Sequence, residues 1–123
     1  MKKAIKQVED LDVFQKAYQL SLVLHEQSLG FPKHEQYHGI ADQLRRASKG
    51  ICANLAEGFG KQSYSKAEFK RYIAMAIGSA DEIRLWLSYS GDLSYLEGTT
   101  VKSYRDEYQT IAKMLSGLHK IWS

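Results

Sequence analysis

His34-Glu35-Gln36-Tyr37-His38 satisfies the pattern H-E-x-x-H, the one place where residue types and spacing spell out a reaction. On a helix, histidines four apart stack their imidazoles one turn apart and can grip zinc, with the intervening glutamate as general base. Glu57, on the same helical segment, offers a third carboxylate ligand, but a continuous helix from His38 to Glu57 rises about 28 Å, too far to share one ion. The chain is also too short to build the cleft between subdomains that holds this motif in zinc proteases. No metal is expected, and His34 and His38 form at most an adventitious pair for Ni²⁺ or Zn²⁺. Cys52 is the sole cysteine, set in a helical pattern, and reads as a small buried hydrophobe. His25 and His119 read as packing or surface residues. No Ser/His/Asp or Cys/His arrangement stands at catalytic spacing. The expectation is a protein that is no enzyme and carries no cofactor.

A second kind of chemistry lies in polar groups placed where packing is expected. At 100° per residue, Gln43, Arg46, Gly50, Asn54 and Glu57 fall within about 60° of one another on one helix. Ile40, Leu44, Ala47, Ile51 and Leu55 form an apolar stripe beside them. A later helix carries Met75, Ser79, Glu82 and Trp86 at i, i+4, i+7 and i+11, apart from its main apolar stripe. Two packed readings stay open. One is a hydrogen-bonded network inside the fold, with Arg46 or Gln43 meeting Glu57 or Glu82. The other is a subunit interface, since Arg, Trp, Tyr and Met are enriched in interface cores. Gly50 fits either, because it weakens a helix yet lets another backbone approach.

The third is electrostatic. The formal charge is only +3, yet residues 43–71 hold seven Lys/Arg against two Glu, a local +5. Arg45, Lys49, Lys61, Lys66, Lys70 and Arg71 are therefore candidate nucleic-acid contacts. No zinc finger, RNA-recognition signature or G-x-x-G loop is present, so binding is expected to follow phosphate geometry more than base sequence. The alternative is an oligomeric protein–protein scaffold whose charge serves solubility.

The elements that position these residues are all helical. The spacing predicts helices over about 12–29, 34–57, 66–89 and 100–121. In the first, Leu11, Phe14, Tyr18, Leu22 and Leu29 share a face, and Gly30-Phe31-Pro32 ends it. The second stops at Gly58, read as a left-handed C′ residue. The third has the clearest start: Ser65 and Glu68 are spaced as a capping box, with Tyr64 and Phe69 as a hydrophobic staple. Its inward stripe is Phe69, Tyr72, Ile73, Ala76, Ala80, Ile83 and Leu87. The fourth carries Val101, Tyr104, Tyr108, Ile111, Leu115, Leu118 and Trp122 on one face. Helices of this length with short connections predict a single antiparallel up-down-up-down four-helix bundle spanning residues 1–123. The charged N-terminus has no apolar core for a signal peptide, and no apolar run approaches about 20 residues, so a membrane partner is not expected. The lone cysteine fits a reducing, cytoplasmic compartment.

Four blocks together carry a resemblance: Phe31-Pro32-Lys33-x-Glu35-x-Tyr37, Gln43-Leu44-Arg45-Arg46-Ala47-Ser48, Asn54-Leu55-Ala56-Glu57-Gly58 and Ala76-Ile77-Gly78-Ser79-Ala80-Asp81-Glu82. The chain resembles the bacterial four-helix-bundle family whose founding members are encoded in intervening sequences of large-subunit ribosomal RNA genes. The likeness runs from Phe14 through the fourth helix; each block alone is weak and the combination is specific. It implies a ring-shaped homopentamer with no enzymatic activity, in which Gln43, Arg46, Asn54, Glu57, Ser79 and Glu82 are architectural, with Trp86 beside them. At fold level the chain is also similar to the accessory protein of diversity-generating retroelements, a basic pentamer that binds nucleic acid and a reverse transcriptase. That likeness implies RNA or DNA, and a reverse transcriptase, as partners. His34 and His38 lie outside the signature, and Cys52 is incidental to it.

Overall fold

Ser65 opens the third helix as its spacing predicts: its Oγ accepts the Glu68 N–H at 3.1 Å, closing an N-terminal cap. The predicted staple is not its companion. Tyr64 is exposed, while Phe69 is fully buried, edge-on to Phe59 at 5.7 Å and to Trp122 at 5.0 Å. The computed structural model describes residues 4–122. Residues 1–3, and with them part of the charged N-terminus considered above, lie outside the described residues, as does Ser123.

Among the described residues the chain forms four α-helices: α1 Asp12–Leu29, α2 Ile40–Phe59, α3 Lys66–Asp92 and α4 Gly98–Ile121. Short 3₁₀ turns stand at Val8–Asp10 and Lys33–Glu35. Facing residues fix the register. Ser28 and His25 of α1 meet Arg45 and Lys49 of α2; Gly58 and Gly50 of α2 meet Tyr72 and Ser79 of α3; Gly91 of α3 meets Val101 of α4. In the first two helix pairs one number rises as the other falls, and Gly91 meets Val101 close to the short α3–α4 connection, so consecutive helices are antiparallel. The α1–α4 contact is the slightest of the four sides. Among the described residues no helix is long and apolar enough to cross a membrane.

The core is continuous, built on Leu24, Leu44, Ile51, Leu55, Phe69, Ile73, Ile83, Leu87, Tyr108, Ile111 and Leu115, all fully or almost fully buried. The predicted stripes of α2, α3 and α4 face it. The stripe of α1 does so only at its start: Leu11 is buried and Phe14 packs half-buried on the core, whereas Tyr18, Leu22 and Leu29 are exposed. The buried residues within the helix are Val13, Ala17, Leu20, Ser21, Leu24 and Ser28. This helix is apolar on two faces, and the one with regular large residues is the outer one.

The second helix also starts later than predicted, at Ile40 instead of residue 34. His38 has φ 63°, a left-handed conformation that an α-helix cannot contain. Gly39 is the extended N-cap residue, and a Cβ there would stand 2.6 Å from the Glu35 Cα. At the other end α2 runs through Gly58 to Phe59, so Gly58 is not a left-handed terminator. Its Cβ position lies 2.5 Å from the Tyr72 Cβ, which explains the glycine by close helix packing.

Candidate nucleic-acid interface

The H-E-x-x-H segment is not the helical turn that a zinc protease needs. Lys33–Glu35 is a 3₁₀ turn and His38 is left-handed, so the imidazoles do not stack along one helix face. Glu35, the base of that motif, has another duty. Its Oε1 accepts the Ile40 N–H at 2.9 Å, capping α2, and its Oε2 accepts the Tyr95 hydroxyl at 2.7 Å. These two bonds, the backbone one foremost, hold its pKa below the ordinary glutamate range against the opposing effect of burial. No group of three metal-ligating side chains stands together among the described residues.

The polar stripe lies on the outer side of the α2–α3 pair, not inside the bundle. Gly50 and Ser79 meet there: a Cβ on Gly50 would be 3.3 Å from the Ser79 Oγ. Arg46 does not reach Glu57 or Glu82. It is 69% exposed at its side chain and pairs with Asp42 at 3.1 Å. Burial would raise the Asp42 pKa, but the Arg46 guanidinium and the His38 N–H outweigh it and lower it. Glu57 is exposed and accepts the Tyr72 hydroxyl, which raises that phenol's pKa. Glu82 accepts the Trp86 Nε1–H at 3.0 Å. Gln43 and Asn54 are half-buried on the same side. The internal network is thus replaced by neighbour pairs within each helix and one bridge between helices.

The six candidate cations fall into two groups separated by most of α2. From Arg45 to the helix end at Phe59 is about 21 Å of rise. Arg45 turns inward, donating to the Ser28 Oγ at 2.7 Å and to the Gln36 carbonyl at 3.0 Å. It ties α2 to the end of α1 and to the loop that follows. Lys49 is exposed and donates to the His25 Nδ1 at 3.0 Å. Lys61, Lys66, Lys70 and Arg71 surround the α2–α3 connection, with Lys66 and Arg71 the exposed members. Arg71 pairs with Glu68 at 2.8 Å and lies 4.8 Å over the Tyr72 ring. Cys52 is half-buried, and burial pushes its thiol up to about 11, the signature of an inert packing residue.

A cationic surface that local composition missed runs along α3 and α4. Two open depressions, of about 450 and 510 Å³, share Arg84 and Gln109 and so form one trough. Arg84, Lys102, Arg105, Lys113 and Lys120 line it, against Asp81 and Asp106. The signal was present in α4, where positions 102, 105, 109, 113, 116 and 120 repeat at helical spacing. It was diluted by Asp106 and Glu107 between them. Between α1 and α2, Val8, Phe14, Tyr18 and Ala56, rimmed by Glu9, Gln15 and Gln19, line a largely apolar depression of about 690 Å³.

Residues 9–117 match the family model of the 23S rRNA-intervening sequence protein. The chain belongs to that family. No functionally curated protein matches it. Among solved structures it is similar to a protein of unknown function from the S23 ribosomal protein family of Bacteroides thetaiotaomicron, whose crystal structure was determined at 1.70 Å. The two share 21% identity, with a TM-score of 0.77 over 88% of this chain and 95% of the other. At that identity the likeness establishes the four-helix fold. In this chain several resemblance residues hold the α1–α2 connection: Phe31 packs on Tyr95 at 5.2 Å, Glu35 caps α2, and Arg45 latches the loop.

Proposed function

We propose that this chain is a non-enzymatic, self-assembling adaptor that holds structured nucleic acid, RNA or DNA, on a basic surface in the cytoplasm. The observation that carries the reading is membership, over residues 9–117, of a family named for an intervening sequence of 23S rRNA. An excess of cations and the lack of a base-reading motif agree with recognition of phosphate geometry.

Self-assembly rests on what the single chain leaves uncovered. Tyr18, Leu22 and Leu29 on α1, and Met75, Leu85 and Tyr89 on α3, are between 44% and 54% exposed. Gly78 lies within α3, where an added Cβ would meet nothing within 4 Å. A mid-helix glycine with no internal packing reason fits close approach by a neighbouring subunit. The number five comes from the family resemblance, and a ring of five would repeat each cationic surface around one axis.

Light scattering and a salt titration test the two halves. A pentamer of 14.0 kDa chains has a mass of about 70 kDa, and a 14 kDa particle at micromolar concentration refutes assembly. A hairpin RNA should bind at 50 mM salt and weaken steeply toward 200 mM, as counterion release requires. No binding at low salt refutes the nucleic-acid half. The scaffold reading then stands, favoured by the internal engagement of Arg45 and the pairing of Arg71 with Glu68.

A further inference from the structure

We infer that the α3–α4 trough is a track for the phosphate backbone of a double-helical nucleic acid, and that Arg105 and Lys113 are its main contacts. The inference rests on the nucleic-acid reading above and names the surface and the form of the ligand.

Charge is the first ground. Five cations face two carboxylates along the trough. The carboxylates are already engaged: Asp81 accepts from Arg84 at 2.7 Å and Asp106 from Lys102 at 3.0 Å. Arg105 and Lys113 are exposed and have no carboxylate partner among the described residues. Arg84 lies at the junction of the two depressions, and its Nε has no hydrogen-bond acceptor.

Shape is the second. From Lys102 to Lys120 the track follows one uninterrupted helix and rises about 27 Å. Duplex DNA carries one phosphate per about 1.7 Å of axis, so that length faces many phosphates on a regular polyanion. The lining includes Gly98 and Gly117, where an added Cβ would meet nothing within 4 Å. Gly117 lies inside α4, where glycine weakens the helix. Its bareness has no internal use and leaves room for a backbone to come close.

The third ground is what the trough lacks. No aromatic side chain lines it. Single-strand binders depend on stacking of bases on aromatic rings, and protein interfaces on buried aromatic and apolar anchors. A trough with charge and without rings fits a ligand that keeps its bases stacked inside.

The test is fluorescence anisotropy with a labelled 20-base-pair RNA duplex, from 50 to 300 mM salt. It compares wild type, Arg105→Ala/Lys113→Ala and Lys49→Ala/Lys66→Ala. Losing two phosphate contacts should reduce the log–log salt slope by about 1.8, which at 0.1 M salt corresponds to about 60-fold weaker binding. The Lys49/Lys66 variant removes two of the competing candidate contacts, and an equal or greater loss of slope and affinity there would refute the trough as the main track. Circular dichroism checks that both variants are folded, which the exposure of all four residues favours. If wild type binds and the Arg105/Lys113 variant binds equally well, the trough is not the track, although the functional reading survives. Tighter binding of an unstructured 20-nucleotide strand, or of poly-glutamate at equal charge, overturns the duplex assignment. If wild type binds no nucleic acid at 50 mM salt, the functional reading itself falls.

Discussion

Glu35 offers the sharpest test of how this fold is held, because one carboxylate joins three elements. It caps α2 through the Ile40 N–H and anchors the α3–α4 connection through the Tyr95 hydroxyl. Its side chain is 13% exposed, so solvent replaces these bonds poorly. Glu35→Ala removes a cap and a charge-assisted bond, a loss of about 2 to 3 kcal/mol at pH 7. For a chain of this length that lowers the melting temperature by roughly 6 to 10 °C. Glu35→Gln keeps an oxygen for the Ile40 N–H but not the charge, and should lose about 1 kcal/mol. The pH dependence follows from the sign of the shift. The folded pKa is depressed, so the carboxylate's contribution is fully present above the unfolded value, about 4.3, and disappears as pH falls through the lower folded value. Urea unfolding at fixed protein concentration should therefore show wild type and Glu35→Gln converging between pH 5 and pH 3. Parallel loss of stability in both proteins across that range would refute the linkage. An Ala variant within about 0.5 kcal/mol of wild type at pH 7 would refute the capping role.

Other perturbations separate residues that serve the fold from those held for a partner. Arg45→Ala removes the bonds to Ser28 and Gln36 and should cost about 2 to 3 kcal/mol in urea unfolding; an unchanged salt slope for RNA would agree with its inward position. Gly58→Ala places a Cβ 2.5 Å from that of Tyr72, and overpacking of about 1 to 3 kcal/mol should outweigh the helix-propensity gain of roughly 1. A stabilised Gly58 variant would mean that α2 and α3 are not so closely apposed. Gly78→Ala should raise the helix stability of a lone chain by about 0.5 to 1 kcal/mol yet weaken assembly, read by light scattering on dilution; unaltered assembly would place that face in solvent. Glu82→Ala should weaken each subunit contact by about 2 kcal/mol or more if the polar stripe is dehydrated between subunits; an unchanged dissociation midpoint on dilution would show that it is not.

The helices were legible because their signals were redundant. The start of α3 had a capping serine with its glutamate, and its stripe from Phe69 to Leu87 had a single reading. The start of α2 was misread because its cap is not local. Glu35 reaches across five residues to Ile40, and the N-cap residue is a glycine, which has no side chain to accept a first-turn N–H. In α1, periodicity placed Leu11 and Phe14 correctly against the core and assigned the rest of its face to the wrong side. Small residues, Ala17, Ser21 and Ser28, lie inward, while Tyr18, Leu22 and Leu29 point out. A hydrophobic stripe records what is dehydrated somewhere, and a subunit that packs on copies of itself has two such stripes. Candidate cations suffered the reverse problem. Counting charge along the sequence gathered Arg45 with Lys66, which the fold separates. It overlooked Arg84 with Lys113, which helix spacing and an antiparallel neighbour bring to one trough.

Three of the four outer sides of the bundle thus differ in chemistry, the fourth being the slight α1–α4 contact bridged by Lys16 and Glu107 at 3.3 Å. The α1–α2 side is apolar, with Phe14 and Tyr18 stacked at 6.1 Å beside Ala56. The α2–α3 side carries amides, small residues and ion pairs, with Gly50 thinning it against Ser79. The α3–α4 side is cationic and ringless. A closed ring with head-to-tail contacts requires two unlike surfaces on each subunit and leaves the remainder free. The first two sides meet that requirement: one offers aromatic anchors, the other a glycine that admits them and polar groups that set the register. The third is unsuited to meeting its own copy, because like charges would face each other. In the proposed ring, contacts on the first two sides would keep the cations in solvent, where a polyanion could reach all copies at once. The division of chemistry by side would then connect the residues that look wasted in a lone chain to the ligand proposed for the trough.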